Sequence, residues 1–383
     1  MKWATTILIC CVAVLIGLGL VMLYSSSMNM ETGANQGSVG AHLLLSQLCW
    51  CLFGLIGCVA AASTDYRKFK SATPWLLGFS VLLLSLVWAP KIGIMRNGAH
   101  RWIGLPGLPH FQPSELARLA LILFLGSYAE RFQRQMAGVK RGILIPASII
   151  AVVVALIFFE QDWGCAILLA AVCGAMLILA GARLRFIVPP ALLLAGGLTY
   201  FLLHNPVRLR RILAWLHPEL SKDGAGYQAY QAMIALGSGG WTGLGLGNGR
   251  QKLGFVPEHH TDFIFSIIGE ELGLVATLAV VVLFIALVVC GLYIARRSSD
   301  TFGLILGAGI TSMIGLQAFI NIGVVTSVLP NKGMPLPFIS YGGSNLLLML
   351  VSVGLLLSVS RFAAEPVKQR NNPFEAMPEL SHA

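Results

Sequence analysis

A chain of 383 residues that is 56% hydrophobic and only 11% charged carries more apolar surface than a water-soluble core can absorb. Its formal net charge of +10 has no sizeable soluble domain to sit on. That points away from nucleic acid and toward membrane topology as the origin of the basic excess. The eight cysteines all fall in or at the edge of apolar runs, with no CxxC pair and no metal-ligand spacing. They read as small buried hydrophobes, not disulfides.

Apolar runs of about twenty residues cross a bilayer as a helix. Ten occur, near 5–24, 41–62, 73–90, 113–130, 142–159, 164–181, 187–203, 263–294, 302–328 and 343–360. The expected fold is an all-α integral membrane protein of ten transmembrane helices, because backbone in lipid must satisfy its own hydrogen bonds. The first run follows Met1-Lys2 like a secretory signal, but it is long and lacks a small-residue cleavage site, so it is kept as a helix. The fifth and sixth runs are separated only by Glu160-Gln161-Asp162-Trp163 and should form a tight helical hairpin. Residues 1–365 form one domain, with a large loop at about 204–262 between the seventh and eighth spans. The tail 366–383 reads as disordered.

Lys and Arg set the orientation. With both termini cytoplasmic, fifteen of the 26 basic residues fall inside, in turns such as 65–70 and 182–185. The large loop is then extracytoplasmic. Arg118 sits within a span. Ten basic residues lie outside: Lys91, Arg96 and Arg101; Arg208, Arg210, Arg211, Lys222, Arg250 and Lys252; and Lys332. They bind either anionic lipid headgroups of the outer leaflet or a phosphate-bearing lipid substrate. The second reading is preferred, because the same three loops hold the unusual motifs.

In chain order, the loop 91–112 has turn signals at Asn97-Gly98 and Leu105-Pro106-Gly107. Arg101 there is either a snorkelling boundary residue or a phosphate ligand. The fourth span opens Gln112-Pro113-Ser114-Glu115, with proline suited to a first helical turn. Glu115 and Arg118, three apart on one face, pair either as structural glue or as a substrate site. Asp162 in the hairpin turn reads first as a helix N-cap.

The large loop carries Gly243-x-Gly245-x-Gly247. This is a poor dinucleotide match without a strand–turn–helix context, and reads better as flexible backbone bending near a substrate. Next come His259-His260-Thr261-Asp262 at the head of an apolar helix. Adjacent histidines diverge and no third ligand is evident, so zinc is disfavoured. Asp262 is either an N-cap or the carboxylate that a water-borne hydroxyl reaches. Ser266 lies a turn below on the same side and Glu270 roughly so, whereas Glu271 faces away. Both glutamates need partners. Finally, 329–344 reads LPNKGMPLPFISYGGS. Such broken backbone survives at membrane depth only inside protein or around a water-filled cavity, which Lys332, Ser340, Tyr341 and Ser344 would line.

The segments QPSELARLALIL, GNGRQKLGFVPEHHTDFIFSIIGEELG and LPNKGMPLPFISYGGS resemble the signatures of the SEDS family (shape, elongation, division and sporulation proteins) along nearly the whole chain. GNGRQKLGFVPEHHTDF and Asn331-Lys332-Gly333 are closer to its division branch than to its elongation branch. The resemblance implies a glycosyltransferase of the bacterial cytoplasmic (inner) membrane, at the division septum, polymerising lipid II into peptidoglycan. Its implied partners are a class B penicillin-binding transpeptidase, other division proteins and membrane lipids.

The family's essential aspartate falls on Asp262, its R-W arginine on Arg101 and its Q-P-S-E-L glutamate on Glu115. Arg118 stands where lysine is common, and Gln161 replaces the proline of the P-D-x-G turn around Asp162. Asp262 is then the expected general base. Arg101, Arg118, Arg250 and Lys252 would stabilise the lipid pyrophosphate, with Glu115, Asp162, His260, Lys332, Ser340 and Ser344 completing the substrate site. A divalent cation (Mg or Mn) would suit the pyrophosphate, though no motif dictates one. A lipid II flippase, or a non-catalytic scaffold for the transpeptidase, is the alternative function.

Overall fold

The computed structural model describes residues 1–27, 38–89, 92–96, 99–104, 110–216, 224, 226–251 and 261–362. The described residues form twelve α-helices and one β-hairpin. In chain order these are α1 (Lys2–Ser27), α2 (Ser38–Ser63), α3 (Phe69–Leu86), strands β1 (Gly93–Arg96) and β2 (Ala99–Ile103), α4 (Pro113–Arg131), α5 (Ile145–Phe159), α6 (Trp163–Leu179), α7 (Leu184–His204), α8 (Pro206–Leu216), α9 (Tyr227–Ser238), α10 (Ile264–Arg296), α11 (Thr301–Val325) and α12 (Gly343–Phe362).

A helix occupies each of the ten apolar runs. Among the described residues, eight helices are long and apolar enough to cross a membrane: α1, α2, α3, α5, α7, α10, α11 and α12. This is a multi-pass membrane protein. Of the other two, α6 is apolar but only 17 residues long, and α4 carries Glu115, Arg118, Glu130 and Arg131.

The centre of the bundle is α4, α6, α11 and α12, whose side chains supply much of the core. Packing there depends on small residues that let backbones approach. A Cβ at Gly354 on α12 would strike the Cys58 carbonyl of α2, and one at Gly307 on α11 would meet Ala295 of α10. By contrast, α7 buries none of its described side chains. One end of the bundle is clamped by Asp300, which accepts from Tyr66 Oη at 2.7 Å and Lys70 Nζ at 3.3 Å. Lys70 also pairs with Glu130 at 2.6 Å.

Three features depart from the sequence reading. The loop 91–112 contains an antiparallel hairpin, with Gly93 opposite Ile103 and Arg96 opposite Ala99; the signal was the turn pair Asn97-Gly98, bounded by Ile and Trp. The large loop contains α8 and α9, short helices whose apolar residues are too few for a span-length signal. Most consequentially, α10 is not one continuous span. Gly273 sits at φ 78°, ψ −174°, which breaks the helix into a short buried piece and a long one.

Breaking a helix strands carbonyls on one side and N–H groups on the other. The glycine-rich segment satisfies both. Leu244 N and Gly245 N donate to the carbonyls of Glu270 (2.9 Å) and Glu271 (3.0 Å), while Leu274 N and Val275 N donate to the carbonyls of Gly240 (2.9 Å) and Trp241 (3.3 Å). The side chains add to this zipper. Glu270 accepts from Arg250 N at 2.7 Å, and Glu271 accepts from Gly247 N at 3.2 Å and from Ser25 Oγ of α1 at 2.5 Å. Gly243 serves close backbone fit, whereas Gly245 and Gly247 supply left-handed backbone that bends the segment. All three have positive φ, and a Cβ at Gly243 would collide with the Glu271 carbonyl.

Gly273→Ala should therefore destabilise the protein by about 1–3 kcal/mol from backbone conformation alone, before its collision with Gly243 and Trp241 is counted. Gly78→Ala in α3, where nothing lies near the new methyl group, should be neutral or slightly stabilising. Thermal unfolding of the two variants in detergent checks the contrast.

Candidate functional site

Asp262 lies in the turn that precedes α10, whose N-cap position is taken by Phe263 without a side-chain cap bond. Asp262 is thus not the cap residue. Two segments meet here. Asn321 on α11 donates through Nδ2 to the Asp262 carbonyl at 2.8 Å and to the Met334 carbonyl at 2.6 Å. Ser340 Oγ donates to the Thr261 carbonyl at 2.5 Å and accepts from Leu336 N at 2.8 Å. The result presses Gly333 against the Asp262 carboxylate, so closely that a Cβ on Gly333 would run into Oδ2.

Lys332, the residue before Gly333, reaches the start of α6. A Cβ at Gly164 would meet Lys332 Cε at 2.6 Å. Asp162 caps this helix, accepting from Cys165 N at 3.3 Å and from Gln112 Nε2 at 3.3 Å. The N-cap reading of Asp162 holds, and its second bond ties α6 to α4. Gln161, just before it, has φ 64°, a costly conformation outside glycine. Arg101 on β2 steadies that turn, donating to the carbonyls of Gln161 at 2.7 Å and Glu160 at 3.4 Å. Arg208 of α8 stacks over the Trp163 ring.

The electrostatics show that these groups form one cluster. Burial lowers the Lys332 pKa to about 8; Asp162 works against that shift, while Arg101 and Arg208 add to it. Arg208 is lowered to about 10, first by burial and then by Arg211 and Arg101. Glu160 is 1% exposed, and neither carboxylate oxygen has a hydrogen-bond partner among the described residues. Burial, then Asp162, pushes its pKa up to about 9. Three cations therefore face one carboxylate cap and one carboxyl that is neutral at pH 7.

Beneath this cluster, Arg118 is 1% exposed. It pairs with Glu115, and its Nη1 donates to Gln317 Oε1 at 2.8 Å. Gln317 Nε2 donates in turn to the Pro335 carbonyl at 2.9 Å, and Asn345 Nδ2 to Glu115 at 3.1 Å. Arg118 was expected to stabilise the pyrophosphate; the structure places it buried and matched by a carboxylate, as an unmatched charge there would be prohibitive.

Of the other predicted residues, Ser340 and Ser344 are buried and tie backbone to backbone. Ser344 Oγ accepts from Gln112 N at 3.1 Å. The Arg250 side chain is exposed while its N–H serves Glu270. Lys252 and His260 lie outside the described residues, as do Lys91, Lys222, His259 and the tail 366–383. The sequence reading missed Glu160, Asn321, Gln317 and Gln112 as site residues, and counted Arg208 only among the outer basic residues. Gln317 and Asn321, four apart in an apolar span, were the available signal, since polar groups there need partners. Among the described residues, no three His, Cys, Asp or Glu side chains gather as a metal site.

A polytopic helical membrane protein with one carboxylate held beside a cluster of cations has the form of an enzyme acting on a phosphate-bearing membrane substrate. The family of cell cycle proteins that groups FtsW, RodA and SpoVE matches residues 5–365, and the chain belongs to it; this is the SEDS family. The chain is 42% identical over 343 residues to the probable peptidoglycan glycosyltransferase FtsW of Geobacter sp. (strain M18), covering 89% of this chain and 92% of the relative. Among solved structures it resembles a chain from a peptidoglycan synthase complex that coordinates polymerization and crosslinking. That match has a TM-score of 0.74 at 28% identity and covers 94% of this chain and 98% of the other. It also resembles the rod shape-determining protein RodA of Thermus thermophilus, at TM-score 0.69 and 27% identity, covering 94% and 97%.

The environment of Glu160 makes a testable prediction. Its folded pKa is raised above the unfolded value, so the unpartnered carboxylate costs stability increasingly as pH rises from the unfolded toward the folded pKa. Glu160→Gln should stabilise the protein by about 1–3 kcal/mol at pH 8 and change it little at pH 4. Denaturation curves at the two pH values decide this.

Proposed function

We propose that this chain is a peptidoglycan glycosyltransferase that polymerises lipid II, as donor and acceptor, into glycan strands at the division septum. The observation that carries the reading is the placement of Asp262. Its carboxylate lies against Gly333, one residue from a lysine that shares the start of α6 with Arg101 and Arg208. A base beside an anion-binding cluster is what displacement of a lipid pyrophosphate requires. Relatives named FtsW support the substrate and the septal location.

In this mechanism Asp262 takes the proton from the acceptor sugar's 4-hydroxyl as that oxygen attacks the donor's anomeric carbon. The bond to the pyrophosphate breaks on the opposite face, so the anomeric centre inverts. Lys332, Arg101 and Arg208 receive the developing charge. A divalent cation, Mg or Mn, would balance the charge of the pyrophosphate if one is used; chelation with EDTA in the same assay tests it. All ten long helices cross the bacterial cytoplasmic membrane, with both termini in the cytoplasm and α8, α9 and the hairpin on the far side. The likeness to a chain of a complex coordinating polymerization with crosslinking supports a class B penicillin-binding partner.

With purified protein, lipid II and the cognate transpeptidase, Asp262→Asn keeps the size of the side chain and removes the base. Polymerisation should fall by about a hundred- to ten-thousand-fold. Near-normal polymer from that variant would sink the base assignment, and lipid II crossing liposomes without any polymer from wild type would favour a flippase.

Lys332 gives an independent check. It is cationic below its pKa of about 8, so kcat/KM for lipid II should decline as pH rises through 8. Lys332→Arg keeps its charge over that range and should abolish the decline. A wild-type profile flat to pH 10 would remove Lys332 from pyrophosphate binding.

A further inference from the structure

We propose that Asn321 is a positioning residue for Asp262, a role that rests on the reading of Asp262 as the general base. Asn321 is 1% exposed on α11, between Ile320 and Ile322. Its amide has two N–H donors. One goes to the Asp262 carbonyl and the other to the Met334 carbonyl. Because both acceptors are main-chain carbonyls, the amide orientation is fixed. Its Oδ1 meanwhile has no hydrogen-bond partner among the described residues, so the amide serves these two carbonyls.

Those carbonyls belong to segments about seventy positions apart in the chain. One carries Asp262 and the other follows Gly333, where an added Cβ would run into the carboxylate. A single amide thus sets the spacing between the base and the wall it rests on. Gln317, one turn away on α11, repeats the tie to Pro335, and Ser340 repeats it between Thr261 and Leu336. All three side chains hold backbone on this segment, and none of these bonds uses the Asp262 carboxylate. Asn321 therefore acts on where the base sits, while of the cations Arg101 on β2 and Arg208 on α8 are held by other elements.

The test compares wild type, Asn321→Leu, Ser340→Ala and Asp262→Asn as full-length purified proteins with lipid II and the transpeptidase. Rates are expressed per lipid II binding site counted on the same preparation, which removes any misfolded fraction. Asn321→Leu should lose about 10- to 100-fold in kcat with KM within about twofold. Ser340→Ala, which breaks a neighbouring tie, should show the same split and serves where the leucine variant does not fold. A wild-type kcat per site in both variants, or a loss expressed in KM, overturns the proposal while Asp262→Asn remains inactive. Near-normal activity of Asp262→Asn overturns the base reading, and the positioning role with it.

Discussion

Main-chain N–H and C=O groups in a membrane protein must find partners inside the protein wherever the helix stops. This chain stops its helices twice near the site, at Gly273 and along Leu329–Gly342, and the architecture around Asp262 consists largely of the devices that satisfy the exposed groups. At Gly273 the partners are backbone groups of a glycine-rich strap together with two glutamates. Along the second segment they are side chains: Asn321, Gln317, Ser340 and Gln47. Irregular backbone gives a site positions that a regular helix does not offer. The supporting side chains make those positions rigid enough for chemistry.

The same logic explains the Glu115–Arg118 pair. A buried ion pair is weak evidence of stability by itself, because desolvation offsets most of the attraction. Here each partner also has an amide neighbour, Asn345 for the carboxylate and Gln317 for the guanidinium. Gln317 then passes the order on to Pro335. The pair therefore anchors α4, α11 and α12 to the segment that carries Lys332 and Gly333. Charge at this depth is passed on to the backbone through neighbouring amides.

The ten long helices were legible because length and apolarity are one-dimensional properties. The roles of Asp162 and of Glu115 with Arg118 were legible because capping and i,i+3 pairing are local. The break at Gly273 was not. Its evidence lies in Gly240–Gly245, some thirty residues away, and a glycine within an apolar run reads the same whether it packs, bends or breaks. The hairpin and α8–α9 escaped because they are short elements in polar surroundings, where periodicity has few residues to act on. Asn321 escaped because an amide in a largely apolar helix, even with Gln317 a turn away, says that a partner exists without saying which.

The carboxylates near the site show how burial and bonding divide their roles. Glu270 and Glu271 spend their oxygens on the N–H groups of the strap and on Ser25. Asp162 holds the start of α6 and Gln112. Glu115 answers Arg118. Glu160 is kept protonated by its surroundings. At Asp262, Asn321 holds the main chain and Gly333 bounds the side chain. Position is controlled through the backbone by Asn321 and through the close approach of Gly333. In the proposed mechanism this fixed position is what a general base needs, since its proton affinity must change during the reaction while its location must not.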